Sequence, residues 1–352
     1  MNLCRARLTP ALVLLAIAGA ACTTAGGTAA HPQPSGTTPP AAVTLHLGYM
    51  ADLTQASALV GIQDNVFASS LGPNVTLTAT VFKSGTEEGA ALGAGSLDAA
   101  YVGPNTAIAA FLRAKDAVRV VSGATSGGVF LMTKYAVKSP ADLRGQKVAV
   151  AAAGDTADVA LRTWLKSQGL NPNAGGNVSV VTMPNASILP ALQQGSIAGA
   201  WVPEPWASLL QVEGNAKVFL DEASLWPNGH FPTALLMVRT AFLQKHPDVV
   251  ANLIVGQVAA NDLVKRPSAQ IEKDAATAIK NLTGVALSQA VSDLSWLHLS
   301  FTDDPLAAAI AADAGHALAL GQIPAPDLTG MYRLAPLNDI LKAANEPQVS
   351  AG

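Results

Sequence analysis

Residues 147–170 read KVAVAAAGDTADVALRTWLKSQGL, a short apolar strand that runs into a small-residue turn and then a helix. Val148 to Ala151 supply the strand. Leu161, Trp164 and Leu165 recur at helical spacing and give the helix one apolar face. Asp155 or Thr156 stands where a helix N-cap is wanted, and Asp158 falls in the first turn, where a carboxylate suits the positive end of the helix dipole. A glycine turn feeding a helix N-terminus leaves backbone N–H groups free for a ligand's oxygens. The segment is therefore expected to build one wall of a cleft, with the opposing wall supplied from elsewhere in the chain.

The same strand–turn–helix unit recurs on either side. Residues 45–49 alternate as a first strand, 75–82 are β-rich and open into the turn Lys83 to Glu88, and 99–102 run into Gly103-Pro104-Asn105-Thr106. A strand over 118–122 leads into the glycine-rich turn 123–128, and 130–133 is extended. After 147–170 come a strand at 178–183, the turn Pro184-Asn185, a helix at 187–194 and a strand at 197–202 ending in Pro203-Glu204-Pro205-Trp206. Strands alternating with helices imply a largely parallel sheet with helices on both faces. Residues 91–102 (ALGAGSLDAAYV) also align with 191–202 (ALQQGSIAGAWV), which suggests two similar α/β lobes. One more extended run, 234–240, is followed by helices only, expected to pack on a lobe already formed. The lobes are expected at 43–133 plus 234–352 and at 134–233.

Half of the 352 residues are hydrophobic and only 13% are charged, which fits a well-packed α/β protein. The formal net charge is −3, with no basic run interleaved with aromatics, so nucleic acid is not an expected partner. Arg5 and Arg7 precede an apolar run, 8–21, too short for a membrane span but suited to the core of an export signal. The run ends in Gly19-Ala20-Ala21 before Cys22, which resembles a bacterial lipoprotein signal, with Cys22 as the lipidated residue; Gly19 replaces the usual large aliphatic residue. An ordinary secretory signal (1–21) with an incidental cysteine is the other reading. Residues 22–42, rich in Thr, Gly, Ala and Pro, read as a flexible tether.

Catalytic signatures are missing from the sequence: no HExxH or His/Cys zinc spacing, no GxSxG elbow, no Walker A and no GxGxxG at a strand end. Neither a metal, a cofactor nor an enzymatic activity is expected. What recurs is a set of polar, glycine-rich turns at strand C-terminal ends, where open α/β sheets hold ligands.

Those turns carry a family resemblance. FKSGTE (82–87), GSLDAAYVGP (95–104), GDTADVAL (154–161), PEPW (203–206) and FLQKHPD (242–248) make the chain from about 45 to 344 resemble the solute-binding proteins of ABC importers of the nitrate/sulfonate/taurine type. The resemblance implies a periplasmic-binding-protein type II fold: two α/β lobes, crossings near 132–136 and 231–235, and a hinged cleft that closes on its ligand. It implies a monomeric receptor on the outer face of the cell membrane, handing a small organic ligand such as a sulfonate to an ABC permease. An enzyme of pyrimidine-precursor or menaquinone type, or a ligand sensor, on the same fold is the alternative. Carried over position by position, the pocket would comprise the loop from Tyr49 to Gln55, with Ser84, Gly85, Pro104, Asn105, Thr125, Ser126, Asp155, Thr156, Ala157, Asn185 and Glu204. Helix N-termini and hydroxyls could hold an oxyanion there. Asp155, Asp158 and Glu204 oppose one, so either they turn away as caps or the ligand also carries an amine.

Overall fold

The computed structural model describes residues 42–351. The expected export signal, Cys22 and all but the last residue of the tether lie outside them. In chain order the elements are β1 (Val43–Met50), α1 (Ala56–Gln63), α2 (Val66–Leu71), β2 (Val75–Phe82), α3 (Gly85–Gly93), β3 (Ala99–Val102), α4 (Pro104–Arg113), β4 (Val118–Gly127) and β5 (Val129–Lys134). There follow β6 (Lys147–Val150), α5 (Thr156–Ser167), β7 (Ser179–Thr182), α6 (Ile188–Gln193), β8 (Gly199–Pro203), α7 (Trp206–Val212), β9 (Ala216–Asp221) and β10 (Pro232–Arg239). The remainder is α8 (Thr240–Lys245), α9 (Pro247–Lys265), α10 (Ala269–Thr283), α11 (Gln289–Trp296), β11 (Leu299–Phe301), α12 (Ala307–Ala319) and α13 (Ala335–Ala343).

Two sheets result, ordered β11-β4-β10-β3-β1-β2 and β7-β6-β8-β5-β9. They repeat one plan. In the first, β1 lies parallel to β2 and β3, and β10 lies antiparallel to β3; in the second, β6 lies parallel to β7 and β8, and β5 lies antiparallel to β8. The register repeats as well: Met237 pairs with Ala100 and Leu236 with Tyr101, as Met132 pairs with Ala200 and Leu131 with Trp201. The internal likeness of 91–102 and 191–202 is thus the repetition of a helix end, a glycine turn at positive φ (Gly95, Gly195) and a central strand. Both sheets are mixed rather than largely parallel, because each accepts a strand delivered by a crossing between the halves.

Each central strand is buried on both faces, and alternate residues feed different cores. Tyr101 and Ala99 face Leu45, Leu47 and Tyr49 of β1 and the helices α1, α2 and α9, while Ala100 and Val102 face α4 and α12. In the second half Trp201 packs with Leu161, Trp164 and Leu165 of α5, and Ala200 and Val202 pack with Trp206, Leu209 and Leu210 of α7. The paired aromatics Tyr101 and Trp201 are fully buried. Each brings in about 2–3 kcal/mol of apolar burial and needs a partner for its polar tip: the Tyr101 hydroxyl donates to Gln257, and Trp201 Nε1 donates to Glu222 at 2.7 Å.

Three local expectations change. Val129 to Thr133, assigned from sequence to the first lobe, pair with β8 and β9 in the second sheet as part of β5, so the chain crosses at Gly128. Residues 123–127 are not a turn but the second half of β4, held by β10 on one edge and β11 on the other. The C-terminal part adds a strand, β11, and does not stay with the first half: Val291 of α11 belongs to the core beside Leu209 and Leu210.

Gly123 allows this return. A Cβ there would sit 2.2 Å from the backbone oxygen of Asp304, because Gly123 N donates to Asp303 O at 2.8 Å and draws that segment over β4. Gly123→Ala is expected to lower unfolding free energy by about 1–3 kcal/mol through forced backbone movement. Gly315→Ala, on the exposed face of α12 with no atom near the added carbon, is expected to raise it by about 0.5–1 kcal/mol. Urea unfolding of both variants checks the pair.

Candidate functional site

The C-terminal ends of β1, β2, β3, β6, β7 and β8 all point to the junction of the halves. There a cavity of about 70 Å³ is lined by Met50, Asp52, Thr54, Gly85, Gly103, Thr106, Val129, Ala151, Asp155, Thr156, Ala157, Asn185, Pro203 and Thr233. The walls meet through direct hydrogen bonds: Leu53 N to Glu204 O at 2.9 Å, Asn105 N to Thr156 Oγ1 at 3.3 Å, Thr86 Oγ1 to Ala153 O at 3.3 Å, and Gln322 Nε2 to Asp158 Oδ2 at 3.2 Å. Gly103 is the close approach. A Cβ on it would lie 2.5 Å from Thr156 Oγ1.

Of the positions named from sequence, Gly85, Asp155, Thr156, Ala157 and Asn185 line this cavity. The others do not line it, and most have partners of their own. Tyr49 belongs to the core of the first half. Gln55 is fully buried and ties the β1 loop down, accepting from Met50 N at 2.6 Å and donating to Tyr101 O at 2.9 Å. Ser84 caps α3 through Glu87 N, and Pro104 opens α4. Asn105 contributes its backbone N–H to the cross-cleft contact with Thr156. Thr125 and Ser126 are strand residues, the first accepting Thr233 Oγ1 at its carbonyl and the second accepting Phe231 N at its hydroxyl. Glu204 is fully buried and turned towards α7 and α11: it accepts from Ser208 N (3.0 Å) and Ser208 Oγ (2.9 Å), and His298 Nδ1 lies 2.6 Å from it.

The helix-terminal turn that opens α5 is filled by its own side chains. Asp155 Oδ1 accepts from Asp158 N at 2.9 Å and Oδ2 from Ala152 N at 3.1 Å, while Asp158 Oδ2 accepts from Gly154 N at 2.9 Å. Asp158 is then neutralised by Arg162 Nε at 2.6 Å. Three of the turn's backbone N–H groups, those of Ala152, Gly154 and Asp158, are therefore committed to carboxylates.

Asp52 stands in the matching place after β1, the first strand of the other sheet, inside the loop from Tyr49 to Gln55 that the family resemblance points to. Its signal is the one Asp155 gives, an acid capping the turn after a strand: Oδ1 accepts from Thr54 N at 3.0 Å and Thr54 Oγ1 at 2.5 Å. Burial pushes the Asp52 carboxyl up to about 6 and the Asp155 carboxyl up to about 7. Glu88 lies fully buried with both oxygens lacking hydrogen-bond partners, raised well above the usual range by burial and then by the charge of Asp52. Among the described residues no Lys, Arg or His lines the cavity. Lys83 lines an adjoining cavity of about 340 Å³ that shares Met50, Asp52 and Asn185.

Two α/β halves with one strand plan, joined by crossings and meeting at a cleft, define a periplasmic-binding-protein type II fold. Solved structures share it. The alkanesulfonate-binding protein SsuA from Xanthomonas axonopodis pv. citri, bound to MOPS, matches with a TM-score of 0.70 at 19% identity, over 83% of this chain and 98% of that one. The periplasmic nitrate-binding protein NrtA from Synechocystis PCC 6803 matches with a TM-score of 0.73 at 15% identity, over 87% and 90%. The chain belongs to the NMT1-like family, whose model matches residues 38–280. The taurine-binding periplasmic protein of Escherichia coli (strain K12) is 30% identical over 210 residues, which is 59% of this chain and 62% of that protein, less than two thirds of its length.

The raised carboxyls set a pH dependence. Asp52, Asp155 and Glu222, the last pushed up to about 8 by burial, hold protons more tightly folded than unfolded. Their contribution is complete below about pH 4 and is lost as pH rises through about 6 to 8. The unliganded protein is expected to melt at a higher temperature at pH 5.5 than at pH 8.5. Asp155→Asn, which keeps a capping oxygen, is expected to flatten that slope by on the order of 1–4 kcal/mol, read from denaturant titrations across the range.

Proposed function

We propose that this protein is an extracytoplasmic solute-binding receptor that carries a small organic solute, sulfonate- or taurine-like or related, to the permease of an ABC importer. The observation that carries the reading is the cleft: each wall is built from strand-end turns of one half, and the halves are joined by two crossings, at Gly128 and over 222–231. A ligand bound there touches both halves, so its binding energy is available to hold them together. Family membership and the names of the relatives support the same role. Within the reading, residues 43–127 with most of 232–351 form one lobe, 129–221 with α11 packed on it form the other, and Asp155, Thr156, Ala157, Asn185 and Gly85 contact the solute.

Export and anchoring belong to the same proposal, with residues 1–21 as the signal, Cys22 as the lipid-bearing residue and 22–42 as the tether. Among the described residues no helix is long and apolar enough to cross a membrane. Fractionation is expected to find the protein with the membrane, and Cys22→Ser in the soluble exported fraction.

A thermal-shift panel on the full chain tests the receptor role. Taurine, alkanesulfonates, nitrate, bicarbonate and aminopyrimidines are the probes. A true ligand at a hundred times its Kd stabilises the folded state by about 2.7 kcal/mol, so the transition should rise by several degrees for one chemical class and stay put for the others. Silence across the panel would remove the reading.

A further inference from the structure

Resting on the receptor reading, we propose that the solute must carry a cationic nitrogen, an ammonium or amidinium received at Asp52 and Asp155, and that bare oxyanions are refused by this cleft. The two carboxylates come from the equivalent turns of the two halves and both line the same cavity. Asp52 is 2% exposed, and both hydrogen bonds from Thr54 arrive at Oδ1, so Oδ2 keeps acceptor capacity beside the Gln55 N–H.

A second set of unpaired polar atoms points to a ligand independently of the acids. Asn185 lines the cavity with its Oδ1 buried and unpartnered. Thr106, 6% exposed, also lines it, and its hydroxyl sits over Gly85, where an added Cβ would meet it at 2.8 Å. That hydroxyl makes no hydrogen bond among the described residues.

The balance of these groups favours donors on the ligand. Asp52 Oδ2 can only accept, Asp155 keeps further acceptor capacity beyond its backbone bonds, and Asn185 presents its Oδ1 as a further acceptor. An ammonium offers three N–H donors and a positive charge to that set. An oxyanion would find the N–H groups of Ala152, Gly154 and Asp158 already taken and two ionisable acids beside it. No basic side chain of the cavity lining would compensate it, since Arg162 is held by Asp158 and Lys83 lines the neighbouring cavity. Met50, Val129, Ala151 and Pro203 leave an apolar surface for the carbon body of the solute.

Calorimetry on the detergent-solubilised full chain decides this with matched probes: taurine against isethionate, which replaces the ammonium by a hydroxyl, and butylamine against butanesulfonate. Binding of the nitrogen-bearing member of either pair, with its partner at least about tenfold weaker, supports the proposal. Asp52→Asn keeps the cap and removes the charge, and should weaken the amine by about 10- to 100-fold while the melting temperature of the unliganded protein stays level or rises. Isethionate, butanesulfonate or nitrate binding as tightly as the amine would overturn the cation requirement and leave the receptor reading standing. So would unchanged amine affinity in Asp52→Asn. A panel in which neither amines nor anions bind would overturn the receptor reading and this inference with it.

Discussion

The first sheet has a gap that only the returning chain can fill. Strand β10 lies between β3 and β4, and Ala234 to Val238 are wholly buried. Neither neighbour reaches the other without it, so the N–H and C=O groups along both facing edges stay unpaired until residues 232–239 arrive. Each such buried group left unsatisfied costs about 1–3 kcal/mol. The first sheet is therefore completed by residues that follow the second half in sequence, which ties the two halves together and fixes where they meet. The second sheet repeats the device with β5, which lies between β8 and β9 and is delivered by the first crossing. Each half thus holds a strand that the other half hands over. The cleft sits where the handing over occurs.

Much of this plan was legible in the residues. Alternation in 45–49, the helical spacing of Leu161, Trp164 and Leu165, and the likeness of 91–102 to 191–202 are local signals, and the structure keeps all three. The crossing points were not legible to the residue. Val129 to Lys134 and Val118 to Gly127 have the composition of buried strands, and nothing within them says which sheet supplies the partner edge. Gly123 illustrates the difficulty: read alone it marks a turn, but it is a strand position kept small by Asp304, far along the chain.

Side-chain direction was harder still than placement. Glu204 follows a strand end and precedes a helix, as Asp155 does, yet it is drawn away from the cleft by Ser208 and by His298 Nδ1, 94 residues later. Tyr49 and Gln55 flank the loop that reaches the cavity but face inward, one by strand alternation and the other because Tyr101 O and Met50 N claim its amide. Between them Asp52 reaches the cavity, because a cap's carboxylate must sit beside the first turn it serves. Sequence spacing identifies the loop; which of its side chains turn inward depends on partners that the sequence brings from other elements.

Closure and selectivity are carried by different kinds of atom. In each of three cross-cleft bonds (Leu53 N–Glu204 O, Asn105 N–Thr156 Oγ1 and Thr86 Oγ1–Ala153 O) at least one partner is backbone. Such contacts depend on chain path, and at about 0.5–1.5 kcal/mol each they hold the walls together only weakly. The charge inside the cleft belongs to side chains, and here those side chains occupy the backbone donors that a helix N-terminus would otherwise present. At the start of α5, where the fold offers an anion site, two carboxylates of the same turn take three of the backbone donors. The architecture therefore says that something small is enclosed. Under the proposed receptor role, its charge would be set by the aspartates of the two matching turns rather than by the architecture.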